Sequence, residues 1–131
     1  MKLLKALLLS SALFVSVNAS DVMQKSMAVM FEGMNEIQAG FLNNQLDMIE
    51  SGIKKVEEGN NLFSDKDTIV KYLPENKKHL SNVAINASQR LSVDIADLKN
   101  NLEQKAYINA ANSYSDMINA CAKCHSTVRS W

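Results

Sequence analysis

Apolar side chains along this chain recur every three or four residues, and no segment shows sustained alternation of apolar and polar residues. This spacing is typical of amphipathic helices, because side chains three and four residues apart share one helix face. The first stripe predicts a helix A that begins near Asp21, a candidate N-cap. Its inward residues alternate in steps of four and three: Met23, Met27, Met30, Met34, Ile37 and Phe41.

A second stripe predicts a helix B that begins at about Gln45, after a break at Asn43-Asn44, and stops at Gly59-Asn60-Asn61. Its inward residues are Leu46, Ile49, Ile53 and Val56. Residues 60–75 form the longest stretch without a helical pattern, and they contain the only proline, Pro74. We therefore expect an irregular connection between helix B and the next helix.

Two further stripes predict helices C and D, joined by a tight connection at Asn100-Asn101. Helix C is expected to start around Asn76, with inward residues Leu80, Ala84, Ala87, Leu91, Ile95 and Leu98. Helix D carries on one side Tyr107, Ala110, Tyr114, Met117, Ile118, Cys121, Cys124, His125 and Val128. Four amphipathic helices with mostly short connections favour an all-α fold, an antiparallel up-down-up-down four-helix bundle, and such bundles commonly hold cofactors between facing helices.

The first 19 residues have the layout of a secretory signal peptide. Two lysines lie near the start, residues 3–17 are mostly apolar, and Val17-Asn18-Ala19 supplies small residues at the −3 and −1 positions of a cleavage site. We expect cleavage after Ala19, export to the periplasm and one mature domain of residues 20–131. A retained membrane anchor is the less favoured alternative, because the apolar stretch is shorter than the ~20 residues that span a bilayer.

The charge balance argues against a nucleic-acid partner. The chain has 14 basic and 14 acidic side chains, and loss of Lys2 and Lys5 with the signal peptide leaves 12 basic side chains and a net charge near −2. Phosphate binding needs a concentrated positive surface, and the sequence has no basic run or basic helical face. No paired carboxylates, nucleophile arrangement or phosphate-binding loop indicates an enzyme either.

The two cysteines lie in Cys121-Ala122-Lys123-Cys124-His125, which is the C-x-x-C-H pattern of c-type haem attachment. Residues i, i+3 and i+4 of a helix share one face, so both thiols and the imidazole point to the same side. The thiols of Cys121 and Cys124 can then add to the two vinyl groups of one haem, and His125 can supply an axial iron ligand. A disulfide between these cysteines would close a very small loop and stabilise little of the fold.

Two other interpretations of the cysteine pair are weaker. A thioredoxin-like redox pair normally follows a strand in a βαβ unit, whereas this pair lies near the end of a helical chain. A zinc site needs a fourth ligand, and His79 is the only other histidine.

The pattern Cys121-x-x-Cys124-His125-x-x-x-Arg129, near the C-terminus of a four-helix chain, resembles the class II c-type cytochromes, the cytochrome c prime family. The resemblance covers the whole mature chain in length, helix pattern and motif position, whereas class I cytochromes c carry the motif near their N-terminus. It implies one covalent haem c on Cys121 and Cys124, His125 as the proximal iron ligand, and Arg129 beside a propionate or the imidazole. Arg129 fits equally well as a solvated cation that the helix dipole favours.

Members of this family differ on the distal side of the iron. Five-coordinate members place a small apolar residue of helix A there and bind NO or CO, whereas low-spin members place a methionine there and transfer electrons. Laid against the family's helix A, Met30 falls at or near the distal position, and a different register brings Met27 there. The family's helix A often has an arginine four residues earlier, where this chain has Ser26 or Met23, so the register stays open. Another methionine, His79 or no ligand are the remaining alternatives.

Most methionines of this stripe must be packing residues, because at most one can bind the iron and thioethers pack adaptably. The expected function is one-electron transfer by a periplasmic mono-haem cytochrome with His/Met ligation, which raises the reduction potential. The alternative is a five-coordinate cytochrome c prime that binds NO or CO. The expected partners are periplasmic redox proteins, and the resemblance also allows a homodimer packed through helices A and B.

Overall fold

A computed structural model describes residues 19–129, and it describes side chains from residue 22 onward. Within this range the chain is almost entirely helical and has no strand, which confirms the all-α prediction. The α-helices are α1 (Ala19–Asn43), α2 (Leu46–Asn60), α3 (Lys66–Tyr72), α4 (Ser81–Glu103) and α5 (Tyr107–Val128). Apart from Ala19, the predicted signal peptide lies outside the described residues.

None of the helices that the structure describes is both long enough and apolar enough to cross a membrane.

Helices α1 and α2 form a closely packed hairpin. A Cβ added to Gly33 would lie 2.5 Å from the backbone oxygen of Gly52, and a Cβ on Gly52 would lie equally close to the backbone oxygen of Gly33. The two helix backbones therefore touch, which a larger side chain at either position would prevent. The predicted break at Asn43-Asn44 is confirmed, since Asn44 has a φ of 54°, a left-handed conformation that asparagine tolerates.

Helices α4 and α5 form a second hairpin, and its connection lies later than predicted. Helix α4 continues through Asn100-Asn101 to Glu103, so the predicted connection is wrong by about three residues. The amide of Asn101 donates to Ser113 Oγ of α5 at 3.2 Å, and its backbone oxygen accepts from the N–H of Ala106 at 2.8 Å. Asn101 therefore joins the two helices from within the last turn of α4.

Polar contacts connect the two hairpins through α2 and α4. The buried amide Nδ2 of Asn60 donates to the backbone oxygen of Ser88 at 3.1 Å and to Ser92 Oγ at 3.0 Å. Lys99 forms an ion pair with Glu57 at 2.9 Å. These contacts fix the last turns of α2 against α4.

The prediction of an irregular connection between the second and third long helices is wrong in part. It contains α3 and two 3₁₀ segments, Asn61–Phe63 and Glu75–Leu80, and α4 begins at Ser81 instead of Asn76. Asp65 caps α3, because its carboxylate accepts the backbone N–H of Thr68 at 2.8 Å. The segment also contributes core residues that we did not predict: Phe63, Ile69 and Leu73.

The core runs between the four long helices, and each of them contributes at least one side chain with no exposed surface: Ile37, Val56, Leu98, Ala110 and Met117. Three residues predicted to face inward are exposed, namely Leu46, Tyr107 and Ile118. Leu46 and Tyr107 are the first residues of their helices, where the neighbouring helices offer little cover. Ile118 borders a cavity that interrupts the core.

Candidate cofactor site

A cavity of about 570 Å³ lies between α1, α4 and α5. Its volume is within the range of ~300–1,000 Å³ that is usual for small-molecule and cofactor sites. Helix α5 contributes to its wall all three residues of the sequence motif, Cys121, Cys124 and His125. Helix α1 contributes three of the four methionines of its stripe: Met27, Met30 and Met34. The remaining lining is mainly alanine, leucine, isoleucine and phenylalanine, so the cavity is largely apolar.

The position of the motif follows from the packing of α5. Ala120 is buried against the core, and the helix continues to Val128, so the next two turns carry the motif along the cavity. Cys121, Cys124 and His125 are each half-buried. The backbone N–H of Arg129 donates to the oxygen of His125 at 2.8 Å and closes the helix end. The helix thus presents two thiols and one imidazole to the cavity.

Both thiols of the motif are free of a disulfide and are held in the protonated form. Burial raises the pKa of the Cys121 thiol above its ordinary value, and the neighbouring Cys124 raises that pKa further. Burial likewise raises the pKa of Cys124. Redox-active C-x-x-C pairs show the opposite shift, because a helix N-terminus or a nearby cation lowers the pKa of the thiol. The surroundings here therefore do not favour thiol–disulfide chemistry.

The imidazole of His125 is held in its neutral form. Burial lowers its pKa from the ordinary value of 6.5, and the positive charge of Arg129 lowers it further. A neutral imidazole has a free nitrogen lone pair, which is the form of histidine that binds metal ions. Arg129 itself is exposed and lines the cavity, so it lies beside the imidazole without being buried.

The methionines of α1 differ in their surroundings. Met30 is only 8 % exposed, and its Cγ lies so close to Gly59 of α2 that a Cβ on this glycine would collide with it. Met27 and Met34 are partly buried and line the cavity. Met23 does not belong to the lining. Met30 therefore packs between α1 and α2, whereas Met27 and Met34 face the cavity more freely.

Tyr114 and Asn60 line the cavity. Tyr114 was expected to pack on the inward side of helix D, and Asn60 only to end helix B. The hydroxyl of Tyr114 donates to the backbone oxygen of Met34 at 3.2 Å, and its ring packs at 51° to the ring of Phe41 with centroids 6.2 Å apart. Asn60 lies at the end of α2, where the sequence indicated only a helix stop. Neither role had a sequence signal, because each depends on a contact between distant segments.

The rival ligand His79 lies apart from this site. It is exposed on the 3₁₀ segment Glu75–Leu80 and does not belong to the cavity lining. Among residues 19–129, no three His, Cys, Asp or Glu side chains are grouped so that they could hold a metal ion between them.

The residues of the cavity fit a covalently attached haem. A porphyrin needs a roomy apolar space, thiols for its vinyl groups and one nitrogen ligand for its iron, and the cavity offers an apolar lining, Cys121, Cys124 and the neutral imidazole of His125. Its polar groups are few, and Arg129 at the helix end provides a cation for an acidic substituent.

Comparison with known proteins does not assign this chain to a family. No protein-family model, no curated protein sequence and no solved structure matches this chain.

Proposed function

We propose that this chain is a periplasmic mono-haem c-type cytochrome of the class II kind, which carries single electrons through a covalently attached haem. The observation that carries the proposal is the cavity between α1 and α5. One wall carries Cys121, Cys124 and His125, and the opposite wall carries methionines of α1.

The proposal includes an antiparallel up-down-up-down arrangement of the four long helices. Three sets of contacts support it. Gly33 faces Gly52 and Gly59 faces Met30, so residue order is opposite along α1 and α2. Asn101 near the end of α4 bonds to Ser113 near the start of α5. Between α2 and α4, the end of α2 meets the middle of α4 and the start of α2 meets its end, with Leu46 and Leu102 lining one groove.

In this proposal Cys121 and Cys124 would form the two thioether links to the haem, and His125 would bind its iron. When bound, the haem supplies an iron that alternates between the ferric and ferrous states. The chain contributes the rest: the apolar walls exclude water, and burial keeps the imidazole of His125 neutral. Arg129 balances a propionate charge at the open edge of the site.

The contacts favour a particular level for the distal ligand. The hydrogen bond between Tyr114 and Met34 brings these two residues to the same level of the bundle. Cys121 lies seven residues beyond Tyr114 and Met27 seven residues before Met34, which is about 10.5 Å along each helix. In an antiparallel pair these displacements have the same direction, so Met27 lies at about the level of Cys121, one turn from His125.

The packing of Met30 separates the two candidates. Met30 lies one turn farther away and packs against Gly59. We therefore favour Met27 over Met30 as the distal ligand, with Met30 as the second choice.

The test is the absorption spectrum of the ferrous protein with and without CO, for wild type, Met27→Leu and Met30→Leu. We expect a low-spin spectrum that CO does not alter in wild type and in Met30→Leu, and a high-spin, CO-sensitive spectrum in Met27→Leu. Met23→Leu is the matched control, since this methionine of α1 does not line the cavity. If neither Met27→Leu nor Met30→Leu changes the spin state, the assignment of a distal methionine from this pair is wrong.

One observation favours the alternative function, binding of NO or CO at an open iron position. Met30 is fixed against α2, and the cavity wall also contains Ala28, a small apolar side chain that has no atom able to bind iron. If Met27 also packs aside, the sixth position stays open. A high-spin wild-type spectrum that shifts with CO would support gas binding over electron transfer.

The cellular context is part of the same proposal. Cleavage after Ala19 would release the domain into the periplasm, where redox proteins would be its electron partners. A homodimer through the outer faces of α1 and α2 is compatible with the resemblance and is tested by the mass of the protein in solution.

A further inference from the structure

We infer that Tyr114 is a positioning residue that holds the distal wall of the site, formed by α1, at the level needed for ligation of the iron by a methionine. This inference rests on the proposed function. Tyr114 acts on α1 through the backbone of Met34.

The polar and aromatic contacts between α1 and α5 converge on Tyr114. Its hydroxyl donates to the backbone oxygen of Met34 at 3.2 Å, which is the one side-chain hydrogen bond between these two helices among the residues described. Its ring packs against the ring of Phe41, a second residue of α1. Beyond Tyr114, toward the end of α5, the cavity separates the two helices. Tyr114 therefore lies where the contact between α1 and α5 borders the cavity.

The position of this contact sets the position of the methionines. Helix α1 is continuous from Ala19 to Asn43, so a contact at Met34 fixes Met27, which lies two turns away on the same face. Tyr114 is likewise two turns from Cys121 on α5. The hydrogen bond from Tyr114 to Met34, at 3.2 Å, is long for a hydroxyl donor. The ring contact with Phe41 must therefore also help to fix the position of α1.

Burial of Tyr114 makes the hydroxyl a stable donor. Burial raises the pKa of Tyr114 above its ordinary value of 10. The phenol therefore keeps its proton, and its hydrogen bond to Met34, throughout the neutral range.

The test compares Tyr114→Phe with wild type and with Tyr107→Phe, an exposed tyrosine at the start of the same helix. We expect Tyr114→Phe to retain the covalent haem but to shift the equilibrium between six- and five-coordinate iron about fivefold toward the five-coordinate form, seen as a high-spin component and as CO binding. Tyr107→Phe should match wild type. An unchanged low-spin, CO-indifferent spectrum in Tyr114→Phe would overturn the inference.

A double variant separates positioning from a general loss of stability. In the background of whichever methionine variant is high-spin, Tyr114→Phe should leave the CO affinity unchanged, because the ligating methionine has already been removed. A further change in CO affinity there would overturn the inference and assign Tyr114 to the shape of the cavity itself. Loss of covalent pigment from wild type would instead contradict the proposed function, so the two failures are distinguishable.

Discussion

Gly33 of α1 and Gly52 of α2 lie backbone to backbone, with each glycine occupying the space that a Cβ on the other helix's glycine would need. This contact fixes how closely the first two helices approach. Val56 lies beside it and has no exposed surface, so the close approach also seals the core. The contact between the two glycines determines the position of α1 relative to the rest of the protein. It therefore also determines the position of the cavity wall that α1 forms.

The first prediction follows from this contact. Gly33→Ala should lower the free energy of unfolding by about 1–3 kcal/mol, the usual cost of overpacking. The better helix propensity of alanine offsets this by at most about 1 kcal/mol. The steric overlap outweighs the gain in helix propensity, because the obstructing atom is the backbone oxygen of Gly52, which cannot rotate away. Urea unfolding measures the change.

A matched control is Gln38→Ala, at an exposed position of the same helix. It should change the free energy of unfolding by no more than about 0.5 kcal/mol. Equal or greater stability of Gly33→Ala would mean that α1 and α2 are farther apart than described.

The second prediction concerns α3. Ile69 is 1 % exposed although its helix has only seven residues, so we expect Ile69→Ala to cost about 2–5 kcal/mol through lost burial and the cavity left behind. Lys66→Ala, at an exposed position of the same helix, should stay within about 0.5 kcal/mol of wild type. Thermal or urea unfolding measures both variants, and a neutral Ile69→Ala would remove α3 from the core.

The third prediction concerns pH. Asp94 of α4 is 1 % exposed, and burial raises its pKa above the ordinary value of 3.8, although the neighbouring Arg90 opposes the shift. Asp116 and Asp97 face the same group and raise its pKa further. Arg90 Nη2 lies 2.7 Å from Asp94 Oδ1 without hydrogen-bond geometry, so this oxygen has a charge partner but no donor among the described residues.

The sign of the effect follows from proton binding. A carboxyl with a higher pKa in the folded state binds its proton more strongly there, so its contribution to stability falls as pH rises from 3.8 through the raised folded value. We expect the free energy of unfolding of wild type, relative to Asp94→Asn, to decrease across that window and to be constant on either side. Arg90→Gln should extend the window to higher pH. A difference that increases with pH would contradict the burial of this carboxyl.

Hydrophobic periodicity predicted the four long helices, because each has several turns over which a one-sided stripe can be recognised. It missed α3, whose seven residues span two turns and give no clear period. It also placed the connection between α4 and α5 too early, since Asn100-Asn101 looks like a break. In the structure, Asn101 stays helical because its side chain finds a partner in Ser113.

The site was predictable only where the sequence carries a fixed spacing. Cys121, Cys124 and His125 were identified because C-x-x-C-H is a local pattern. The sequence placed Met30 at the distal position and Met27 there in a different register, because both lie on one broad stripe, and the contact of Met30 with Gly59 is what separates them in the structure. Tyr114 was predicted to pack, but its bond to Met34 joins residues 80 positions apart, which no local pattern reveals.

The central claim is tested most directly by acid–acetone extraction of the protein, exported in a host that matures c-type cytochromes. The account predicts that pigment stays with the wild-type chain, whose mass exceeds that of the polypeptide by one haem. The double variant Cys121→Ser with Cys124→Ser should release any pigment or contain none. A colourless wild-type protein with two titratable thiols, or pigment that is fully extracted from it, would contradict the account.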